Sequence, residues 1–234
     1  MRILAFETSA KAAGVALLQD GCLLGEYLQN SGQTHSRTVM EMARNLLHNC
    51  DLTPRDVDAV ACAAGPGSFT GVRIGLAAAK GFAWGREIPL VGVSTLEAMV
   101  MGAAMADGVY CAAMDARRNQ VYTALFERRQ GSLIRLTPDS ALSLEELAAQ
   151  LKPIESAKFL VGDGAFLCYN ALGSSGGQLV LLPEHLRMQR AAGVALLAWE
   201  QLRTGKTSPA GDVNPNYLRL SQAERERLKK IKME

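Results

Sequence analysis

Asp58-Ala-Val-Ala-Cys-Ala-Ala-Gly65-Pro-Gly-Ser-Phe-Thr-Gly71-Val-Arg-Ile-Gly75-Leu-Ala-Ala-Ala-Lys-Gly-Phe-Ala-Trp84 is the stretch on which the fold turns. An apolar run of strand length, Val57–Ala63, leads into a glycine-rich loop, and a helix-competent run, Val72 to about Trp84, follows. Glycines let a backbone bend tightly and approach another group closely. Ser68 or Thr70 is placed to cap the first turn, and free amides at such a turn suit an anion. Two readings stand side by side: a loop that holds a phosphate, and a structural corner.

Upstream, Met1–Phe6 reads as a buried strand that runs into Glu7-Thr8-Ser9. Gly14–Leu18 is a second strand, Asp20-Gly21 a hairpin turn, and Cys22–Leu28 a third strand. Thr34–Cys50 has helical spacing, with Val39, Met42, Ala43, Leu46 and Leu47 on one face. Downstream, Glu87–Val93 is a short strand, and Ser94-Thr95 caps a helix to about Ala106. Gly108 opens a second unit. Val109–Asp115 and Val121–Glu127 form a hairpin, Leu133–Leu136 a further strand, and Ser143–Leu151 a helix with a Ser143/Glu146 capping box. Lys158–Val161 and Leu179–Leu182 are short strands around a loop-rich Gly162–Gly177, and Leu186–Arg203 is one amphipathic helix. The charged tail 221–234 reads as a solvated segment. The order β-β-β-α-β-α-β-α occurs twice without a repeat of sequence. That duplication predicts an α/β protein of actin-like ATPase (ribonuclease H-like) architecture, two lobes each with a mixed sheet flanked by helices. The lobes divide as 1–106 and 107–220, with helix 186–203 packing back toward the first lobe.

Composition narrows the function. A net charge of +2 gives no global attraction for nucleic acid, and 6% aromatics argue against a broad stacking platform. Five scattered cysteines without a Cys-x-x-Cys point to free thiols in a reducing compartment. No apolar run approaches the roughly 20 residues of a membrane span, and the start, Arg2–Glu7, lacks a signal-peptide pattern. A cytoplasmic protein without a membrane partner is expected. The glycine loop fails the Walker A spacing and is one residue too long for Gly-x-Gly-x-x-Gly, and Ser68 is not in Gly-x-Ser-x-Gly. His35, His48 and His185 lack metal-ligand spacing. Glu7, Asp115 and Asp163 each follow a strand, where an acid either binds magnesium or caps a turn.

At Gly65–Gly75 the chain resembles the bacterial TsaB (YeaZ) family of tRNA threonylcarbamoyladenosine biosynthesis. Ile3-Leu-Ala-Phe-Glu-Thr-Ser9, Pro89-Leu-Val-Gly-Val-Ser-Thr-Leu96, Asp115-Ala-Arg117 with Val121-Tyr122, and Pro215-Asn-Tyr-Leu-Arg219 match in the family's order. The resemblance implies a role in forming N6-threonylcarbamoyladenosine at position 37 of tRNAs that read ANN codons. It implies a partner of the paralogous transferase TsaD, joined by the small ATPase TsaE. TsaD proteins carry Gly-Val-Asn-His-x-x-x-His, whose histidines bind the catalytic metal. The matching stretch here is Gly92-Val-Ser-Thr95-Leu-Glu-Ala-Met99. A hydroxyl and a thioether do not replace two imidazoles around a divalent ion.

The resemblance therefore implies a scaffold or activator subunit with no catalytic residue and no metal site. A vestigial phosphate or nucleotide loop would comprise Glu7, Thr8, Gly65, Gly67, Ser68, Thr70 and Gly71. No tightly bound cofactor is expected, only weak ATP or ADP with magnesium at the partner complex. The family's partner interface pairs two helices with the same pair on the partner. Its expected residues are Val39, Met42, Leu46, Leu47, Val72, Gly75, Leu76, Ala79 and Ala83, with burial on the chain's own sheet as the competing reading. The same face would permit a homodimer when the partner is absent, and tRNA would be met through the complex. Arg117, Arg118, Arg128 and Arg129 are the candidate tRNA contacts. An independent actin-like ATPase or small-molecule kinase is the alternative function, and a peptidase ranks last.

Overall fold

The structure is a computed structural model that describes residues 1–103, 105–173, 177–205, 209 and 211–219, and the counts below are of those residues. The charged tail lies outside them. β1 (Arg2–Glu7), β2 (Ala13–Gln19) and β3 (Cys22–Gln29) form an antiparallel meander. Its first hairpin closes through Asp20 and Gly21 at φ 51° and 84°, the left-handed pair that the Asp-Gly sequence predicts. β4 (Ala59–Ala63) and β5 (Leu90–Val93) extend the sheet in parallel, in the order β3-β2-β1-β4-β5. The second sheet repeats the plan. β6 (Gly108–Asp115), β7 (Gln120–Arg129), β8 (Ser132–Arg135), β10 (Lys158–Val161) and β11 (Leu179–Leu181) run in the order β8-β7-β6-β10-β11. A short β9 (Ser140–Ser143) also pairs with β7. Twice-used topology of this kind is the actin-like arrangement.

The helices sort into layers because β1 alternates. Leu4 and Phe6 face α1 (His35–Asn49) and α2 (Phe69–Trp84) in one core cluster. Ile3 and Ala5 face α7 (Ala191–Arg203) in another. α3 (Thr95–Ala103) places Leu96, Met99 and Val100 against Tyr110, Ala112 and Phe126 of the second sheet. α4 (Leu144–Leu151) and α5 (Ala165–Leu172) cover that sheet's far face. α3 and α7 thus fill the space between the sheets. They meet where side chains are absent: a Cβ on Gly193 would lie 2.0 Å from the Ala98 carbonyl oxygen. Glu26 of β3 ties α7 down by accepting from the Ala192 amide at 3.0 Å and pairing with Arg190.

Four expectations change. Gly162–Gly177 is not all loop, because α5 occupies Ala165–Leu172 and buries Ala165, Cys168 and Leu172. Leu186–Arg203 is not one helix. A short α6 (Glu184–Arg187) ends before extended Met188, and α7 starts after Arg190. The break lets the Gln189 side chain reach Asp163 at 2.8 Å while the Arg187 carbonyl takes the Gly162 amide at 2.7 Å. α7 is also buried along most of its first half, being sandwiched rather than amphipathic. The helix after the glycine loop begins at Phe69, one turn before Val72, because Ser68 caps it by accepting from the Gly71 amide. Among the described residues no helix is long and apolar enough to cross a membrane.

A segment with no regular structure, 211–219, crosses between the lobes. Val213 is buried beside Gly92. The Asn216 amide donates to the Ala64 carbonyl at 2.7 Å, and the Arg219 guanidinium donates to the Ala116 carbonyl at 2.8 Å. Asp139 joins three parts nearby. It accepts from Ser94 Oγ at 2.8 Å, from Arg135 at 2.6 Å and from the Asn216 side chain at 3.4 Å.

Two glycines of α2 make a paired test of this packing. A Cβ at Gly71 would meet the Thr8 carbonyl oxygen at 2.1 Å, whereas Gly81 has nothing within 4 Å. Overpacking of a rigid contact costs about 3 kcal/mol, which for a chain of this size lowers Tm by roughly 6–12 °C. Gly71→Ala should show that loss in a thermal melt. Gly81→Ala, exposed and helical, should instead gain about 0.5–1 kcal/mol.

Candidate functional site

The strands of both sheets end at a common cleft. Glu7 closes β1 there, Asp115 closes β6, and Asp163 lies two residues beyond β10. The cleft has a volume of about 690 Å³. Ser9, Ala10 and Lys11 line it from the first turn, Pro66–Phe69 from the glycine loop, and Met114–Arg117 with Tyr122 from the β6–β7 hairpin. Asn216–Arg219 form the remaining wall.

The glycine loop is built for contact with the first turn. A Cβ on Gly67 would lie 2.6 Å from the Ser9 carbonyl oxygen, and one on Gly75 would lie 2.4 Å from Thr8 Oγ1. The Ser68 amide donates to the Ser9 carbonyl at 2.7 Å, and Thr8 Oγ1 donates to the Gly71 carbonyl at 2.7 Å. Gly65 sits at φ +113° with the Asn216 carbonyl oxygen where a Cβ would be, and its own carbonyl takes the Thr95 amide at 2.9 Å. The amides of Ser68 and Gly71 are spent inside the protein. The loop is therefore packed as a corner against the first turn. Of the seven loop residues expected from sequence, Gly67 and Ser68 line the cleft. Glu7, Thr8, Gly65 and Gly71 are buried behind it, and Thr70 is exposed outside it.

Glu7 is fully enclosed and its Oε1 accepts from the Ser9 amide at 2.6 Å. Burial pushes its carboxyl up to about 7 against the pull of Ser9, with the charge of Asp163 adding to the rise. Asp163 is raised as well, chiefly by desolvation in the cleft wall, opposed by the Gln189 bond and reinforced by Asp115. Asp115 Oδ1 accepts from the Arg117 amide at 2.7 Å and so caps its turn. Among the described residues no three His, Cys, Asp or Glu side chains cluster as a metal site. Ser68 Oγ accepts from the Gly71 amide, and no hydrogen bond joins it to a histidine or carboxylate among the described residues. His35 Nε2 lies 2.8 Å from the Ala10 carbonyl and braces the first turn. Burial pushes the Cys62 thiol up to about 12 and Cys111 to about 11, so both stay protonated.

Thr95 and Met99, where the paralogue's histidines would stand, are buried. Met99 packs in the second sheet's core, and Thr95 Oγ1 has no partner. The nine residues expected at the partner interface are also all buried within the chain. Val39, Met42, Leu46, Leu47, Leu76, Ala79 and Ala83 belong to one core cluster with Leu4 and Phe6. A helix on a sheet spends its most apolar stripe inward, and these side chains do so here. The outer face of the same two helices carries Met40, Arg44 and Trp84, with Trp84 73% exposed. A groove of about 230 Å³ lies on this face between Met40, Arg44, His48, Pro54 and Phe82, with Leu47 as its one residue from the expected nine.

Sequence reasoning missed the wall made by 216–219. Phe69 and Tyr217 stack with ring centroids 4.7 Å apart, and Arg73 sits over Phe69 at 3.8 Å while donating to the Tyr217 hydroxyl at 2.8 Å. The cluster Pro215-Asn-Tyr-Leu-Arg219 in an otherwise featureless segment was the available signal.

A family model described as TsaD, tRNA N6-adenosine threonylcarbamoyltransferase, matches residues 29–227. The chain is 35% identical over 231 residues to the tRNA threonylcarbamoyladenosine biosynthesis protein TsaB of Bacillus subtilis, with 96% of each covered. It is 32% identical to the protein of that name in Escherichia coli, over 94% of this chain and 95% of that one. A solved structure described as YeaZ from Pseudomonas aeruginosa superposes with a TM-score of 0.79 at 28% identity, covering 93% of this chain and 99% of that one. The component A of (R)-2-hydroxyglutaryl-CoA dehydratase from Acidaminococcus fermentans shares the fold alone. Its TM-score is 0.52 at 13% identity, over 87% of this chain and 99% of that one.

The Glu7 environment sets a pH test. Its folded pKa lies above the unfolded value, so the native state holds its proton longer. The contribution is neutral below about pH 4.5 and becomes a penalty as pH rises toward 7 and beyond. At about 1.4 kcal/mol per pKa unit, the penalty reaches about 3 kcal/mol at pH 8. Glu7→Gln keeps the acceptor and removes the charge. It should raise Tm at pH 8 and change it little at pH 4. An equal shift at both values would contradict the assignment.

Proposed function

The chain belongs to the TsaB family of tRNA threonylcarbamoyladenosine biosynthesis, and from that membership we propose that it is a non-catalytic subunit of the complex that transfers a threonylcarbamoyl group to N6 of adenosine 37 in tRNAs reading ANN codons. The observation that carries this reading is the state of Thr95 and Met99. Neither side chain is an imidazole, and both are sealed in the core away from the cleft. The packing of the glycine loop on Thr8 and Ser9 supports the same reading, because it engages the Ser68 and Gly71 amides within the protein.

The partner in this reading is the paralogous transferase TsaD, met through the outer face of α1 and α2. Met40 and Phe82 line an apolar groove there that suits a large side chain, and Trp84 is exposed at the end of α2. The small ATPase TsaE joins the assembled pair, and any weak ATP or ADP with magnesium belongs to that assembly. The same outer face pairs two copies of this chain when the transferase is absent, since one patch can serve both isologous and paralogous contacts.

An independent ATPase or kinase is the second reading, and the open interlobe cleft is the observation that favours it. Calorimetry separates the two. The subunit reading expects no heat from magnesium-ATP at millimolar concentration with the isolated chain, and a saturable exotherm would support the ATPase.

Two measurements test the subunit itself. The purified chain should transfer no threonylcarbamoyl group to tRNA, and turnover that survives chelator without the transferase would overturn the proposal. Met40→Asp and Trp84→Asp should each weaken co-purification with TsaD by at least about tenfold, the loss of a central apolar anchor. Both positions are exposed, so Tm should stay within a degree or two. Retained complex in both variants would remove this face from the interface.

A further inference from the structure

We propose that the wall of the interlobe cleft formed by residues 216–219 and the β6–β7 turn is an RNA contact, holding one unpaired base and its flanking phosphates. The proposal deepens the tRNA-modification reading and rests on it. Three observations carry it.

The first is a ready-made stack. The Tyr217 and Phe69 rings lie 4.7 Å apart at 28°, both line the cleft, and Tyr217 keeps 39% of its surface exposed. Arg73 clamps the pair from behind through Phe69 and the tyrosine hydroxyl. A ring fixed in this way offers a face to a base at little further ordering cost. Single-stranded RNA is recognised by such splayed, stacked bases.

The second is unneutralised charge. Some arginines are paired with acids, as Arg135 is with Glu97 and Asp139, Arg190 with Glu26, and Arg44 with Glu41. Lys11, Arg73, Arg117, Arg118 and Arg219 have no carboxylate within 4 Å among the described residues. Lys11, Arg117 and Arg219 line the cleft beside Tyr217. Asp115 and Asp163 share the cleft, Asp115 accepting from the Arg117 amide and Asp163 from the Gln189 side chain. The unpaired cations Lys11, Arg117 and Arg219 along its rim match a phosphate path.

The third is presentation. Arg117, Arg118 and Asn119 hold φ of 65°, 58° and 55°, a tight turn that leaves both arginine side chains in solvent. Arg219 braces that turn through the Ala116 carbonyl. The charges and the ring therefore sit on one bonded unit, anchored on the first turns of α2 through Phe69 and Arg73.

The test uses a fluorescein-labelled anticodon stem-loop RNA and fluorescence anisotropy, on the full chain and on its complex with TsaD. Tyr217→Ala should weaken binding by about 10-fold or more, the loss of one stacked base. Tyr217→Phe should retain affinity. Arg117→Ala with Arg118→Ala, both exposed and harmless to folding, should flatten the salt dependence by about 1.4 in the log–log slope, two single-strand phosphate contacts. Wild-type affinity and slope in these variants would overturn the proposal. So would displacement of the RNA by magnesium-ATP at the same residues, which would make the cleft a free-nucleotide site. Failure of the subunit reading looks different. There the complex with TsaD does not form, while RNA binding by the isolated chain still tracks Tyr217 and the arginines.

Discussion

Thr8 and Ser9 stand so close to Gly67, Gly71 and Gly75 that no side chain fits between them. This contact is where the first turn of the protein meets the start of its central helix. It brings two hydrogen bonds with it, from the Ser68 amide to Ser9 and from Thr8 Oγ1 to Gly71. The helix axis is thereby fixed against β1, and Leu76, Ala79 and Ala83 fall onto the sheet. The same closeness engages the Ser68 and Gly71 amides inside the protein. A loop rich in glycine can serve an anion or serve packing, and here it serves packing against the first turn. The burial of Glu7 beneath this corner follows, and with it a carboxyl that ionises with difficulty.

Between the sheets the chain solves a second crowding problem with the same means. α3 and α7 must share a layer, and Gly193 meets the Ala98 backbone to let them do so. Polar contacts then close the boundary around Asp139, which gathers Ser94 from the first lobe, Arg135 from the second and Asn216 from the connecting segment.

Much of this was legible where local chemistry decides local structure. Asp20-Gly21 fixed its hairpin, Ser143 and Glu146 formed the capping box, and the duplicated order of elements declared the architecture. Thr95 and Met99 could be read against a histidine pair because residue type alone settles that question. What was not legible was direction. Periodicity showed that Val39, Met42, Leu46 and Leu47 share a face, but not which neighbour that face meets, and burial on the nearest sheet won. α5 was hidden because Gly162 and Gly164 mark a loop while Phe166 and Leu167 carry no helical period distinct from a strand. The break between α6 and α7 depends on Gln189 reaching Asp163, a contact no local pattern announces. β9 is four residues whose pairing comes wholly from β7.

The segment 211–219 has a bearing on how the molecule comes to exist. Asn216 bonds to Ala64, and Val213 completes a core begun by Leu4 and Phe6. These contacts join distant parts of the chain, and closing so long a loop costs entropy that local contacts do not. The first sheet can collapse around α1 and α2 long before its last buried residue arrives. The angle between the lobes is therefore settled late, when the end of the second half returns to the first. During synthesis that moment comes only after the second sheet has left the ribosome, and until then the cleft stands without one wall.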